Sequence, residues 1–202
     1  MKKDDKRQII LLAAAGCFSK YGFEKTTLED IGKAVGLNKA SLYYYYKNKE
    51  NIYCDVILSE AEVFLQGLQR KVKSAKSNES KIVNYLVERL SFYGNIANIH
   101  HLTLDSILKV EPVFNEIYGM VLAKEIDFVR TLLKAGQEQG EFGKFDPSRV
   151  AEILMELAVS IRYKAIHSAA ARMLDKPDDE KMVEDTRLAA KLILKGLRSA
   201  QN

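Results

Sequence analysis

The sequence predicts an all-α chain of about nine helices, and three observations predict it. Apolar residues recur at i, i+3, i+4 and i+7 from end to end, and almost no stretch alternates with the period of two that a half-buried strand needs. Only three prolines and eleven glycines interrupt 202 residues, of which 47% are hydrophobic and 29% charged; that balance supports a packed core and argues against disorder. The breaks fall where a glycine or a capping side chain accounts for them.

Taken in order, Ile10, Ala13, Ala14, Cys17, Phe18 and Tyr21 form the stripe of a first helix over 5–21, which Gly22 stops. Thr26 or Thr27 supplies an N-cap for a second helix over 28–35, with Glu29 or Asp30 in a first turn that favours a carboxylate. Gly36 cuts it short, and Asn38 caps a third helix over 39–45. Asn48 then caps a fourth over about 49–76, long enough to span ~40 Å at 1.5 Å per residue. This helix is expected to join two domains, 1–48 and 49–202. A fifth, 81–98, carries Ile82, Tyr85, Leu86, Leu90 and Tyr93 on one side. Pro112 is expected to end or kink a helix between 102–110 and 111–118, and 121–139 is helical until Gly140. Asp146-Pro147 is a strong start signal for a helix over 148–173, and a polar turn around Pro177 precedes a last helix over 178–200.

Charge is unevenly placed. Residues 1–50 hold ten Lys/Arg against six Asp/Glu, which is the whole net charge of +4, while the other 152 residues hold 21 of each. The same quarter carries five of the ten tyrosines: Tyr21, Tyr43, Tyr44, Tyr45 and Tyr46. Basic residues interleaved with aromatics suit a polyanion. The longest uncharged apolar run, Gln8 to Ser19, has twelve residues, short of the ~20 that cross a bilayer, and the N-terminus lacks the pattern of a cleaved leader. No membrane association and a cytoplasmic location are expected, with Cys17 and Cys54 as reduced thiols. Nucleophile elbow, phosphate loop and helix-borne zinc motif are all absent. No catalytic residue, cofactor or metal is therefore expected; adjacent His100 and His101 diverge by about 100° on a helix and do not face one ion easily.

The second and third helices, joined through Gly36, have the arrangement of a helix-turn-helix, whose second helix enters the major groove of DNA. Leu42 and Tyr46 lie one turn apart and face the core with Leu28, Ile31, Val35 and Leu37. Lys39, Ala40, Ser41, Tyr43, Tyr44 and Tyr45 are left outside. Ala40 and Ser41 keep the start of the helix slim enough to approach base edges, and tyrosines offer hydroxyls to phosphates or rings to thymine methyls. Lys39 and Lys49, near helix starts, and Thr26 and Thr27, before the second helix, are placed to hold phosphates.

The stretch 9–57, with Ala13-Ala14, Phe18, Tyr21-Gly22, Thr26-Thr27, Asp30-Ile31, Val35-Gly36-Leu37, Leu42-Tyr43 and Lys47-Asn48-Lys49-Glu50, resembles the DNA-binding domain of TetR-family transcriptional regulators. The resemblance covers about a quarter of the chain. It implies DNA contacts at Thr26, Lys39, Ser41, Tyr43, Tyr44 and Lys49, with Tyr43 and Lys49 on phosphates, and a larger helical domain for ligand binding and dimerisation. Gly32 stands where that family commonly has Ala, and is expected to loosen the second helix by about 1 kcal/mol; Tyr46 stands where Phe is common.

One recognition helix reads few base pairs, so a homodimer on an inverted-repeat operator is expected. Val150, Ile153, Leu154, Leu157 and Ile161 on one helix and Met182, Ala189, Leu192, Ile193 and Leu197 on the last are candidates for a four-helix interface. Phe64, Tyr85, Phe92, Tyr93, Phe114, Tyr118 and Phe128 offer aromatic walls for a small-molecule effector pocket, and His100, His101, Asp105 and His167 offer polar groups. The reading is a repressor released from its operator by that effector. Its rivals are a helical protein-interaction adaptor of the same fold, opposed by the DNA-facing Lys39, Ser41 and Lys49, and a helical hydrolase using His100, Asp105 and His167.

Overall fold

The computed structural model describes residues 3–198, apart from the side chains of residues 3–4, 91–98, 114, 116, 117 and 120. Helices α1 (Lys3–Tyr21), α2 (Leu28–Ala34), α3 (Lys39–Tyr43), α4 (Lys49–Val72), α5 (Asn78–Ile99), α6 (Leu104–Glu138), α7 (Pro147–Ala171) and α8 (Asp179–Gly196) follow one another, with no strand among the described residues. None of them is long and apolar enough to cross a membrane.

Two elements depart from the sequence reading. Helix α6 runs unbroken through Pro112. The proline ring faces solvent, and buried Leu104, Val110, Tyr118, Val121, Val129 and Leu132 hold one helical phase on both sides of it, so packing outweighs the ~3 kcal/mol that an interior proline costs. Helix α5 starts at Asn78 rather than 81. The Glu141 carboxylate, 62 residues or more downstream, accepts the N–H groups of Asn78 and Glu79 at 2.8 Å each, a distant cap on two donors that a helix start otherwise leaves open.

Packing divides the chain into Met1–Glu62 with Asn95–Tyr118, and Val63–Gly94 with Gly119–Asn202; the division cuts across the sequence boundary at residue 48. In the first unit, Ile10, Ala14 and Phe18 of α1 close with Phe23, Ile31 and Leu42 over Ile52, Tyr53 and Val56 of α4. Phe18 meets Tyr53 edge-on at 5.0 Å between ring centroids, and Phe23 lies 4.7 Å from the same tyrosine. Cys54 is buried here, and desolvation pushes its thiol up to about 12; it stays protonated and packs as a small apolar group.

The second unit is built around Ile82, Leu86 and Leu90 of α5, Val129 and Leu133 of α6, Leu154, Met155 and Ala158 of α7 and Leu194 of α8. Within it lies an ion pair that is almost wholly buried. Arg89 donates through Nε and Nη2 to the two oxygens of Glu125, at 2.7 and 2.9 Å, and the Tyr85 hydroxyl donates to Oε1 at 3.1 Å.

Candidate nucleic-acid interface

The segment from Thr27 to Tyr46 is shaped by caps and one close approach. Thr27 caps α2 in a capping box: its hydroxyl oxygen accepts from the Asp30 N–H at 3.2 Å, and the Asp30 carboxylate accepts the Thr27 N–H at 3.0 Å. The chain then reverses through Gly36, at φ +66°, a left-handed conformation that glycine adopts without strain. The turn is tight because the Leu37 N–H bonds back to the Gly32 carbonyl at 2.8 Å. A Cβ on Gly32 would lie 2.5 Å from the Leu37 carbonyl oxygen. Gly32 thus leaves room for the Leu37 carbonyl in this turn, a role beyond the loosening expected from its helix propensity. Asn38 caps α3, its side chain accepting from the Ser41 N–H at 2.8 Å.

The faces of α3 separate as its periodicity requires. Leu42 is wholly buried and Tyr46 is 4% exposed, whereas Tyr43 and Tyr44 are 51% and 69% exposed. Lys39 and Ala40 are exposed beside them, and Ser41 and Tyr45 are half-buried. The Tyr44 and Tyr45 rings meet edge-on at 5.0 Å. The core side is pinned by a charged clasp in which Arg7 donates to the Tyr46 hydroxyl at 3.1 Å and pairs with Asp55. Burial pushes that hydroxyl up to about 12, so Tyr46 is neutral and accepts the bond.

All four of the expected phosphate holders have partners within the chain. Thr26 is 1% exposed, and its hydroxyl donates inward to the carbonyls of Gly22 and Cys17 at 2.7 and 3.2 Å; the expectation that it holds a phosphate is corrected. Thr27 is exposed, but its hydroxyl donates to Asp30 at 2.6 Å, which leaves the start of α2 capped by a carboxylate. Lys49 donates to the carbonyls of Phe23 and Glu24 at 2.8 and 3.4 Å and lies 4.3 Å over the Phe23 ring, so its ammonium closes the end of the first loop rather than standing free. Lys39 pairs with Glu29 at 2.8 Å.

Residues 10–55 match the model of the bacterial regulatory proteins of the tetR family. Among relatives, the chain is 26% identical to the uncharacterized HTH-type transcriptional regulator YfiR of Bacillus subtilis over 205 residues, 95% of this chain and 93% of that one. It is 61% identical over 53 residues, 26% of this chain and 29% of that one, to IcaR of Staphylococcus epidermidis, the negative transcriptional regulator of the biofilm operon icaADBC. A transcriptional regulator from Cytophaga hutchinsonii, 27% identical, superposes with a TM-score of 0.70 over 96% of this chain and 99% of that one. The family match, the full-length relative and the superposable structure all point to a tetR-family regulator. It is a DNA-binding transcriptional regulator and not an enzyme. The 46 matched residues contain α2, α3 and the start of α4, so the family match falls on the surface just described.

The expected effector residues do not gather in one unit. His100, His101, Asp105, Phe114 and Tyr118 belong to the first; Phe64, Tyr85, Phe92, Tyr93, Phe128 and His167 belong to the second. Phe92, Tyr93 and Phe114 lie outside the described side chains. His100 is buried, with Nδ1 3.1 Å from the Tyr53 hydroxyl, and its carbonyl accepts the Phe23 N–H at 3.1 Å. His101 is exposed, and so is Asp105, which pairs with Lys109 at 2.7 Å. Tyr118 is buried and Phe64 half-buried. Tyr85 and Phe128 touch, at 4.9 Å, and His167 stacks on Tyr163 at 3.9 Å. No cluster of three or more metal-ligating side chains occurs among the described residues.

On α7 and α8, Leu154 and Met182 are buried within the unit, which corrects their assignment to a dimer face, since their side chains are already covered by this chain. Ile153 and Leu192 are exposed, and Val150, Leu157, Ile161, Ala189, Ile193 and Leu197 are half-buried. Leu188 and Tyr163 are exposed apolar positions that the sequence reading missed. Leu188 lies one turn before Leu192, a spacing that was legible. Arg89 and Glu125 were missed as well; a charge in phase with an apolar stripe, three residues after Leu86 and four before Val129, was the available signal.

Proposed function

We propose that this regulator is a homodimeric repressor that binds an inverted-repeat operator in the cytoplasm and leaves it when a small molecule enters the larger helical domain. Residues 1–48 form the DNA-binding head and 49–202 the effector and dimer portion, with α4 belonging to both. The observation that carries the reading is the exposed side of α3, with Ala40, Tyr43 and Tyr44 opposite buried Leu42 and Tyr46. Ala40, Ser41 and Tyr44 reach base edges, and Lys39, Tyr43 and Tyr45 contact the backbone. Repression is supported by the likeness of this very region to a negative regulator, IcaR.

Exposed Ile153, Leu188 and Leu192, beyond what the α7–α8 contact covers, support a second copy as partner. An effector favouring one of two arrangements would change the spacing of the recognition helices from the about 34–36 Å that successive major grooves demand.

The test is a titration of purified protein against its own promoter duplex and a random duplex at several salt concentrations. Selective, salt-sensitive binding to the promoter is expected. Tyr44→Ala is expected to narrow the gap between the two duplexes by about 5- to 150-fold, the ~1–3 kcal/mol of a lost base contact. An adaptor would leave the promoter duplex unbound, and that outcome would overturn the reading.

A further inference from the structure

We propose that Glu29 competes with DNA phosphate for Lys39, and thereby sets the affinity and salt dependence of DNA binding. The proposal rests on the reading that the exposed side of α3 meets DNA. Lys39 is the first residue of α3 and Glu29 the second of α2. Their Nζ and Oε1 atoms stand 2.8 Å apart, with half of each side chain, 49% and 50%, in contact with solvent. A pair so placed is made in water and can be opened, because each charge is rehydrated when the other leaves.

The two carboxylates at the start of α2 have different duties. Asp30 is held by the backbone N–H and hydroxyl of Thr27 and serves as the cap. Glu29 takes no part in that box and turns its charge on the lysine of the next helix. The Lys39 hydrogen bond, first among the causes, holds its carboxyl below the usual range; it is therefore ionised wherever DNA binding is measured. Lys49, the other lysine expected on phosphate, is bound by neutral carbonyls, so Lys39 is the position where DNA must displace an anion.

That displacement leaves a signature. A lysine that neutralises one phosphate releases condensed counterions and adds about 0.9 to the slope of log K against log salt. When Lys39 leaves Glu29, the freed carboxylate attracts a cation from solution, so the native chain registers less than a full contact. Glu29→Gln keeps the shape of the side chain and removes the competitor.

The experiment is an anisotropy titration of the full chain with promoter and random duplexes across a salt series, for the native protein, Glu29→Gln, Lys39→Gln and the double variant, with thermal melts to confirm equal folding. Glu29→Gln is expected to bind both duplexes about 2- to 5-fold tighter at about 100 mM salt, with a slope steeper by up to about 0.9. Lys39→Gln is expected to bind both more weakly, and Glu29→Gln to add nothing in that background. An unchanged affinity and slope for Glu29→Gln would overturn the proposal. So would equal tightening in the presence and absence of Lys39, because Glu29 would then repel phosphate directly. If Lys39→Gln matched the native protein throughout, the placing of Lys39 on DNA would fail and take the proposal with it; failure of the competition alone leaves Lys39→Gln weaker.

Discussion

Arg89 and Glu125 meet where almost no water enters, each 1% exposed, while Lys39 and Glu29 meet with half of each side chain wet. The buried pair is bidentate and is joined by the Tyr85 hydroxyl; the surface pair is a single contact. The same attraction is therefore structural in one unit and exchangeable in the other. Neither member of the buried pair has a solvent shell to return to, so water cannot replace a lost partner there. At the surface, water and counterions replace a lost partner, and a phosphate can do the same. A DNA-binding head gains from such replaceable pairs, and a packed helical core does not.

The contrast is broken or sharpened by a graded set of substitutions. Glu125→Gln is expected to cost about 3–5 kcal/mol in urea unfolding by removing the buried carboxylate that Arg89 grips at both oxygens, with the salt slope of DNA binding unchanged; a loss well below ~1 kcal/mol would erase the distinction. Gly32→Ala comes next. Alanine has the better helix propensity by about 1 kcal/mol, but its Cβ would press on the Leu37 carbonyl oxygen at 2.5 Å. A net loss of about 1–3 kcal/mol, typical of overpacking, is expected in the same assay, and a gain would show that the turn yields freely. Thr27→Ala removes one half of the α2 capping box and is expected to lower stability by ~1 kcal/mol, measured by the urea midpoint. Smallest in stability is Glu29→Gln, expected to leave the unfolding midpoint in place and to move only DNA affinity.

Much of the first unit was legible because its signals are local. The period of α1, the caps at Asn38 and Asn48, Gly36 and the opposition of Leu42 and Tyr46 to Ala40 and Tyr44 all lie within a few residues of what they determine. What escaped depends on contacts between segments distant in sequence. Nothing beside Thr26 announces that its hydroxyl turns back to Cys17, nine residues earlier, and nothing near Lys49 announces the Phe23 carbonyl. The α5 start needs Glu141, and the unbroken α6 needs an apolar stripe that continues past Pro112. On α7 and α8, apolar periodicity marked the right helices but did not separate Leu154 and Met182, which face inward, from Leu188 and Leu192, which face out. An amphipathic stripe reports that a side is covered, not whether the cover comes from the same chain.

Hydroxyl-radical footprinting of the protein with and without its promoter duplex tests the central assignment most directly, since it reads the solvent exposure of individual side chains. Tyr43 and Tyr44, open in the free chain, are expected to be oxidised readily alone and several-fold more slowly when bound, while exposed Met173, outside the proposed interface, reacts equally in both. Equal oxidation of Tyr43 and Tyr44 in a saturated complex would mean that DNA lies against some other face and would contradict the account.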